Sequence, residues 1–266
     1  MRKYNTDDGG KLPYSDAYNA RAFVQAHGTD LHYCWPWRKW LVYTGTHWQH
    51  DTSGEVMERA RQTVKGLRES HKPITKALSR HIQNSLSNAK LKAMVEQAQS
   101  MPGIPVQPIQ LDSDPWLLNC LNGTLDLRVD ILRPHQRDDL LTRCLAVAYD
   151  PLAQCPVWLK FLNDIMGGNE NLINFLQRAI GSSLTGVIRE HALFILYGTG
   201  RDGKSTFLNT IMAMLGAYAM KAPTELLMAN KYDRHPTEKA DLHGKRLVAA
   251  IEAEQGRKLS EVLVKE

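Results

Sequence analysis

The spacing of apolar positions divides the chain into stretches of different period. Residues 55–70, 74–86 and 88–100 carry apolar side chains on one face at helical spacing. They are rich in Ala, Leu, Lys, Arg, Gln and Glu, and predict three helices. Ahead of them a helix is expected from Asp16, as its cap, to about His27, with Gly28 as the stop. Trp40–Tyr43 and Thr46–Gln49, joined by Thr44-Gly45, read as a β-hairpin. MPGIPVQP, Met101 to Pro108, then breaks the helical pattern with its prolines and glycine. A second hairpin is expected from Leu117–Leu121 and Thr124–Arg128. Asn122-Gly123 would be its turn, because both residues tolerate the positive φ of a type I′ turn. Two further helices, about Pro156–Met166 and Glu170–Leu184, are split by Gly167-Gly168. Residues 1–14 are polar with Gly9, Gly10 and Pro13, and are expected to be flexible.

The texture changes after Glu190. Ala192–Tyr197 (ALFILY) is a continuous apolar run, the pattern of a strand buried on both faces. GTGRDGKS, Gly198 to Ser205, follows at once, and residues 204–215 read as a helix with Phe207, Leu208, Ile211 and Leu215 on one side. Strand, glycine-rich loop and helix in this order make a phosphate-binding P-loop credible. Gly198, Gly200 and Gly203 let the backbone bend around a phosphate chain, so that its N–H groups and the helix N-terminus face the anion. Thr199, Arg201, Asp202 and Thr206 complete the expected nucleotide-binding stretch, Asp202 being tolerable there if its carboxylate faces outwards. Lys204 supplies a point charge for the β- and γ-phosphates of ATP, and the Ser205 hydroxyl can coordinate Mg²⁺.

Such a site also needs an acidic group at the end of a second strand. KRLVAAIEAE, Lys245 to Glu254, offers an apolar strand at Leu247–Ile251 with Glu252 and Glu254 at its C-terminal end. Period-two geometry puts both glutamates on one side. One, with Glu252 the candidate, can serve Mg²⁺ through water while the other orients the attacking water. Which takes which role is open.

Composition adds little. The 266 residues suffice for one large domain or two smaller ones, and a hydrophobic fraction of 43% supports a sizeable core. The net charge of +5 fits a nucleic-acid partner and plain solubility equally well. Cys34, Cys120, Cys144 and Cys155 form no C-x-x-C pair, which argues against a zinc ribbon and for reduced thiols. No apolar run reaches the roughly 18 residues of a membrane span, and Met1–Gly10 lacks the apolar centre of a signal peptide. A cytoplasmic protein without membrane contact is expected. The histidines form no i, i+4 metal pair, and none is assigned to a metal or to proton transfer.

Several blocks together resemble the phage and plasmid primase–helicases, superfamily 3 helicases related to poxvirus replicative nucleoside triphosphatases. These blocks are FVQAHGTDLHY and WRKWLVYTGTHW within Phe23–Trp48, and DPWLLNCLNGTLDLR and LRPHQRDDLLTRCLAVAYDP within Asp114–Pro151. FLQRAIGSSLTG, ALFILYGTGRDGKSTFLNTI and ADLHGKRLVAAIEAEQGRKLSE follow. The resemblance implies an ATP- and Mg²⁺-dependent, hexameric DNA helicase that works on single-stranded or forked DNA beside a primase. It implies an α/β chain in two parts. A mixed α+β helicase-associated N-terminal domain would cover residues 15–185, and an incomplete P-loop NTPase domain (AAA+-like, with a parallel sheet) residues 186–266. Lys204, Glu252 and Glu254 would be the catalytic groups. Trp37, Arg38, Lys39 and Trp40, with Trp35, mix aromatic and basic side chains suited to single-stranded DNA, although a hairpin packed on its own helices explains the tryptophans too.

In the family pattern a basic DNA-binding hairpin, a sensor strand and an arginine finger follow the second acidic strand. The sequence ends at Glu266, before them. The sensor strand lies between ALFILY and LVAAI in such a fold, so without it these two strands have no mutual neighbour and their edges are exposed. The expectation is weak nucleotide binding and little helicase activity from this polypeptide alone. A non-enzymatic DNA- or protein-binding remnant is the competing reading, and a small-molecule kinase is disfavoured by the paired glutamates and the long N-terminal domain.

Overall fold

A computed structural model of the chain describes residues 14–71, 73–188, 192–223, 242 and 244–250. Two compact units are distinguished. The first holds the described residues up to Thr44 together with Trp48–Leu111, and the second Gly45–His47 together with the described residues from Asp112 on. This division at Leu111 differs from the boundary expected at residue 185. One apolar cluster accounts for it, because Leu118, Leu125, Leu162 and Leu176 pack with Phe207, Ile211 and Leu215.

The first unit sets helices α1 (Asp16–His27), α2 (Glu55–Ser70), α3 (Lys76–Ser85) and α4 (Asn88–Ala98) with a small sheet. Its strands are β1 (Leu31–Cys34), β2 (Lys39–Tyr43), β3 (Trp48–His50) and β4 (Pro105–Val106), in the order β3-β2-β1-β4. The pairs are antiparallel except β1 with β4. Period two puts Leu31, Tyr33, Trp40 and Val42 on one face. These side chains join Phe23, Val56, Val64, Met94 and Ile104 in the core. The expected hairpin corresponds to β2–β3, closed by residues 44–47, and no expected element corresponds to β1 or β4. Ser15, not Asp16, caps α1, its hydroxyl accepting from the Tyr18 N–H at 3.2 Å. Asp16 lies in the first turn instead, where a carboxylate faces the positive end of the helix.

At α2 the cap is more elaborate. Asp51 Oδ1 accepts from the N–H groups of Ser53, Gly54 and Glu55 at 3.2, 2.8 and 2.9 Å, and Oδ2 from Val56 at 3.0 Å. Burial pushes the Asp51 carboxyl up, but these four donors together hold it below its usual value.

The second unit begins with a three-stranded antiparallel sheet, β5 (Leu117–Cys120), β6 (Gly123–Asp126) and β7 (Ile131–Arg133), in that order. The expected β5–β6 hairpin forms with its turn shifted by one residue. Cys120 pairs with Gly123, so Leu121 and Asn122 make the turn. Two features pull the register. A Cβ on Gly123 would lie 2.6 Å from the Arg133 carbonyl oxygen, so glycine is needed within the ladder where β7 approaches. The Asn122 side chain meanwhile pairs with the Tyr149 backbone, donating to its carbonyl and accepting from its N–H, both at 2.9 Å. The segment leading to Tyr149 flanks the free edge of β5, through Leu145 N–H to Asn119 O at 2.8 Å and Leu121 N–H to Val147 O at 3.0 Å.

Helices α5 (Pro156–Ile165) and α6 (Glu170–Ser183) match their expected bounds to within a residue. Helix α7 (Lys204–Leu215) then leads to β8 (Ala219–Ala222), which pairs in parallel with β9 (Leu247–Ala250). Among the described residues no helix is long and apolar enough to cross a membrane.

Candidate nucleotide-binding loop

The glycine-rich loop enters α7 through Gly203, whose φ of +81° favours glycine. Space demands glycine there as well. A Cβ would come within 2.7 Å of Ile165 Cγ2 and 3.2 Å of the Phe161 ring on α5. The end of the loop is therefore seated directly on α5. Phe207, one turn into α7, stacks on Trp158 with centroids 5.6 Å apart, and Trp158 stacks on Phe161 at 5.4 Å. Phe207, Ile211 and Leu215 face the core, while Ser205 and Thr206 stay exposed at the first turn. The Phe207 N–H bonds the Gly203 carbonyl at 2.9 Å and so makes the first helical bond. The N–H groups of Lys204, Ser205 and Thr206 precede it, at the positive end of the helix.

The condition set on Asp202 is not met: its carboxylate does not face outwards. Both oxygens contact the Lys204 ammonium, and a Cβ on Gly198 would collide with it. The hydrogen bond from Lys204 holds the Asp202 carboxyl below its usual range.

Ala192–Tyr197 is likewise corrected. It forms no strand among the described residues, and Ile195 and Tyr197 are 68% and 90% exposed. A buried strand needs neighbours for its backbone groups, and none of the described strands lies beside it. One aromatic contact is made, Phe194 meeting Phe175 of α6 at 6.0 Å. Leu247–Ala250 does form its expected strand, with a neighbour, β8, that hydrophobic patterning did not reveal. Glu252 and Glu254 lie outside the described residues.

Sequence reasoning missed the polar network that holds this region together. Arg246, just before β9, donates to the carbonyls of Leu117 (2.6 Å) and Leu184, and lies over the Tyr218 ring at 4.6 Å. Burial pulls the Arg246 pKa down and pushes that of Tyr218 up to about 12. The Tyr218 hydroxyl accepts from the Asn119 N–H and donates to the Arg143 carbonyl, both at 3.3 Å. Asn119 is fully buried. Its amide donates to the carbonyls of Thr46 and Arg143, both at 2.9 Å, and its oxygen accepts from Thr124 at 3.1 Å. His135 Nδ1 lies 2.9 Å from the same oxygen, an acceptor only, so Nδ1 carries the proton. Asp112 binds the Arg143 guanidinium at 2.8 Å and the Thr142 N–H at 2.7 Å. No helical or strand period marks such residues. The signal is a polar residue, Asn119, inside an apolar strand.

The sequence-predicted DNA contacts separate into two groups. Trp35–Arg38 form the turn from β1 to β2, and Trp35, Trp37, Arg38 and Lys39 are exposed. Trp40 packs against the core instead, meeting Phe23 at 6.3 Å and Tyr33 at 5.2 Å. All four cysteines are free thiols, and burial pushes Cys120 up to about 11. Among the described residues no three His, Cys, Asp or Glu side chains converge as a metal site would require.

An α+β unit, a hairpin-led second unit and a glycine-rich loop at a helix N-terminus thus define the architecture. Residues 20–167 match the family model described as D5 N terminal like, and the chain belongs to that family. It is also similar to a protein of Acanthamoeba polyphaga mimivirus whose name assigns it provisionally as a helicase, with 23% identity over 146 residues. The match covers 54% of this chain and 15% of the mimivirus protein.

Proposed function

We propose that the chain is the nucleotide-binding part of a superfamily 3 primase–helicase acting in phage or plasmid DNA replication. The observation that carries the reading is the loop from Gly198 to Ser205. It runs into the N-terminus of α7 and leaves Lys204, Ser205 and Thr206 at the helix end, with Gly203 sterically required by its seat on α5. Family membership and the helicase-named mimivirus relative support the same direction. In this reading Gly198–Thr206 surrounds the triphosphate of ATP, Lys204 neutralises the β- and γ-phosphates, and Ser205 holds Mg²⁺. Glu252 and Glu254 divide metal binding and water activation. A ring of subunits, single-stranded or forked DNA and a primase are its partners.

The test is ATP hydrolysis with and without single-stranded DNA, by the wild type and by Lys204→Ala. The wild type is expected to hydrolyse ATP, faster with DNA, and Lys204→Ala to abolish turnover. Turnover unaffected by Lys204→Ala would overturn the assignment. A second reading, a non-enzymatic DNA- or protein-binding module, is favoured by the exposed Ala192–Tyr197 segment and by the Asp202 carboxylate on Lys204. It predicts a biological activity that survives Lys204→Ala.

A further inference from the structure

We propose that the turn between β1 and β2, Trp35 to Lys39, is a binding site for single-stranded nucleic acid, with the indoles of Trp35 and Trp37 as stacking platforms and Arg38 and Lys39 as phosphate contacts. The site shares with the replication reading only its polymer partner and uses no part of the nucleotide loop. Its location is narrower than the sequence pattern suggested, because Trp40 is spent on the core.

Three observations converge on the turn. The first is exposure. Trp35 and Trp37 are 48% and 38% exposed, whereas Leu31, Leu41, Val42 and Trp48 of the same sheet are buried. Two large aromatic side chains stand in water beside a core that had room for Trp40.

The second is rigidity. The Arg38 N–H closes the turn on the Trp35 carbonyl at 3.1 Å, Arg38 sits at φ 53°, and Pro36 fixes the backbone between the two tryptophans. Tyr33 meets Trp35 at 5.0 Å and 84°, and His50 meets Trp37 at 5.5 Å and 72°. Each indole is thus steadied by a neighbour without a parallel ring stacked on it, and little side-chain freedom is lost when a base arrives.

The third is charge. From Leu31 to His50 the chain contains no Asp or Glu, while Arg38 and Lys39 are both exposed. The next carboxylate, Asp51, is occupied by the N-terminus of α2. A purely apolar protein partner would have no use for the two cations. A duplex would satisfy the cations but keeps its base faces stacked inside. A single strand offers both an aromatic face and a phosphate at each nucleotide. Stacking makes binding sequence-tolerant, because every base has a π-face.

The experiment uses the full chain and a fluorescein-labelled oligothymidylate, followed by anisotropy at low salt, with a duplex of equal length alongside. The wild type is expected to bind the single strand more tightly than the duplex. Trp35→Ala/Trp37→Ala should weaken single-strand binding by on the order of tenfold or more. Trp35→Phe/Trp37→Phe should retain most of it, which a merely structural loss would not predict. Arg38→Ala/Lys39→Ala should lower affinity and reduce the salt slope by about one to two. The titration contains no nucleotide, so failure here is separable from failure of the nucleotide site. Equal affinity in the wild type and the tryptophan double variant, equal affinity for duplex and single strand, or no binding by the wild type would each overturn the proposal.

Discussion

Replacing Asn119 by Ala tests whether the buried network, and not apolar packing alone, holds the second unit. Asn119 has no exposed surface, and its side chain engages four groups: the carbonyls of Thr46 and Arg143, the Thr124 hydroxyl and His135 Nδ1. Truncation removes a partner from each of the four at once, although the Arg143 carbonyl keeps the Tyr218 hydroxyl. Leaving a buried polar group unsatisfied costs about 1–3 kcal/mol, and relaxation of the smaller side chain's surroundings recovers part of that. A loss of about 3–5 kcal/mol is therefore expected, at the upper end for a single substitution. For a unit of this size it corresponds to a fall in Tm of roughly 6–20 °C. The assay is thermal unfolding followed by circular dichroism. Asn119→Asp should be at least as damaging, because it removes both donors and buries a charge opposite two carbonyls. A change in Tm of a degree or less for Asn119→Ala would refute the reasoning, since it would mean that the four partners find substitutes or were never desolvated.

Two further substitutions probe local electrostatics. Asp51→Ala should cost about 1–2 kcal/mol at neutral pH through the lost cap of α2. Because the folded pKa of Asp51 is depressed, its stabilisation is fully present above the unfolded value of about 3.9 and is lost as pH falls through the folded value. The stability gap between wild type and variant should accordingly narrow below about pH 4, and a gap independent of pH between 3 and 7 would contradict this. Asp202→Asn removes the anion that contacts Lys204 and should tighten nucleotide binding about two- to fivefold, as expected for a partly exposed ion pair that no longer competes. Weaker binding by this variant would show that the carboxylate helps to shape the loop instead of blocking it.

What could be read from the sequence follows from how local each signal is. Helices α2 and α3, α4 and α5 lie within about two residues of their expected bounds, because an apolar face at helical spacing is a property of the segment itself. Helix α7 runs over its expected residues, Lys204–Leu215, for the same reason. Signals that depend on partners did not carry. The turn at Asn122 shifted because Tyr149, far along the chain, claims the asparagine side chain. Ala192–Tyr197 has the composition of a buried strand, yet composition cannot supply the neighbouring strands that burial requires. The orientation of Asp202 is set by its contact with Lys204, which residue type alone does not fix. Trp40 and Trp37 are indistinguishable by residue type. The sheet register separates them, placing Trp40 opposite Tyr33 on the core face.

The central claim is that a nucleoside triphosphate binds at Lys204. Equilibrium binding of ATP with Mg²⁺, measured by calorimetry on the wild-type chain and on Lys204→Ala, tests it most directly. The account predicts saturable binding by the wild type and an affinity lower by on the order of tenfold or more in the variant, through loss of a charge-assisted phosphate contact. Indistinguishable titrations of the two proteins would contradict it.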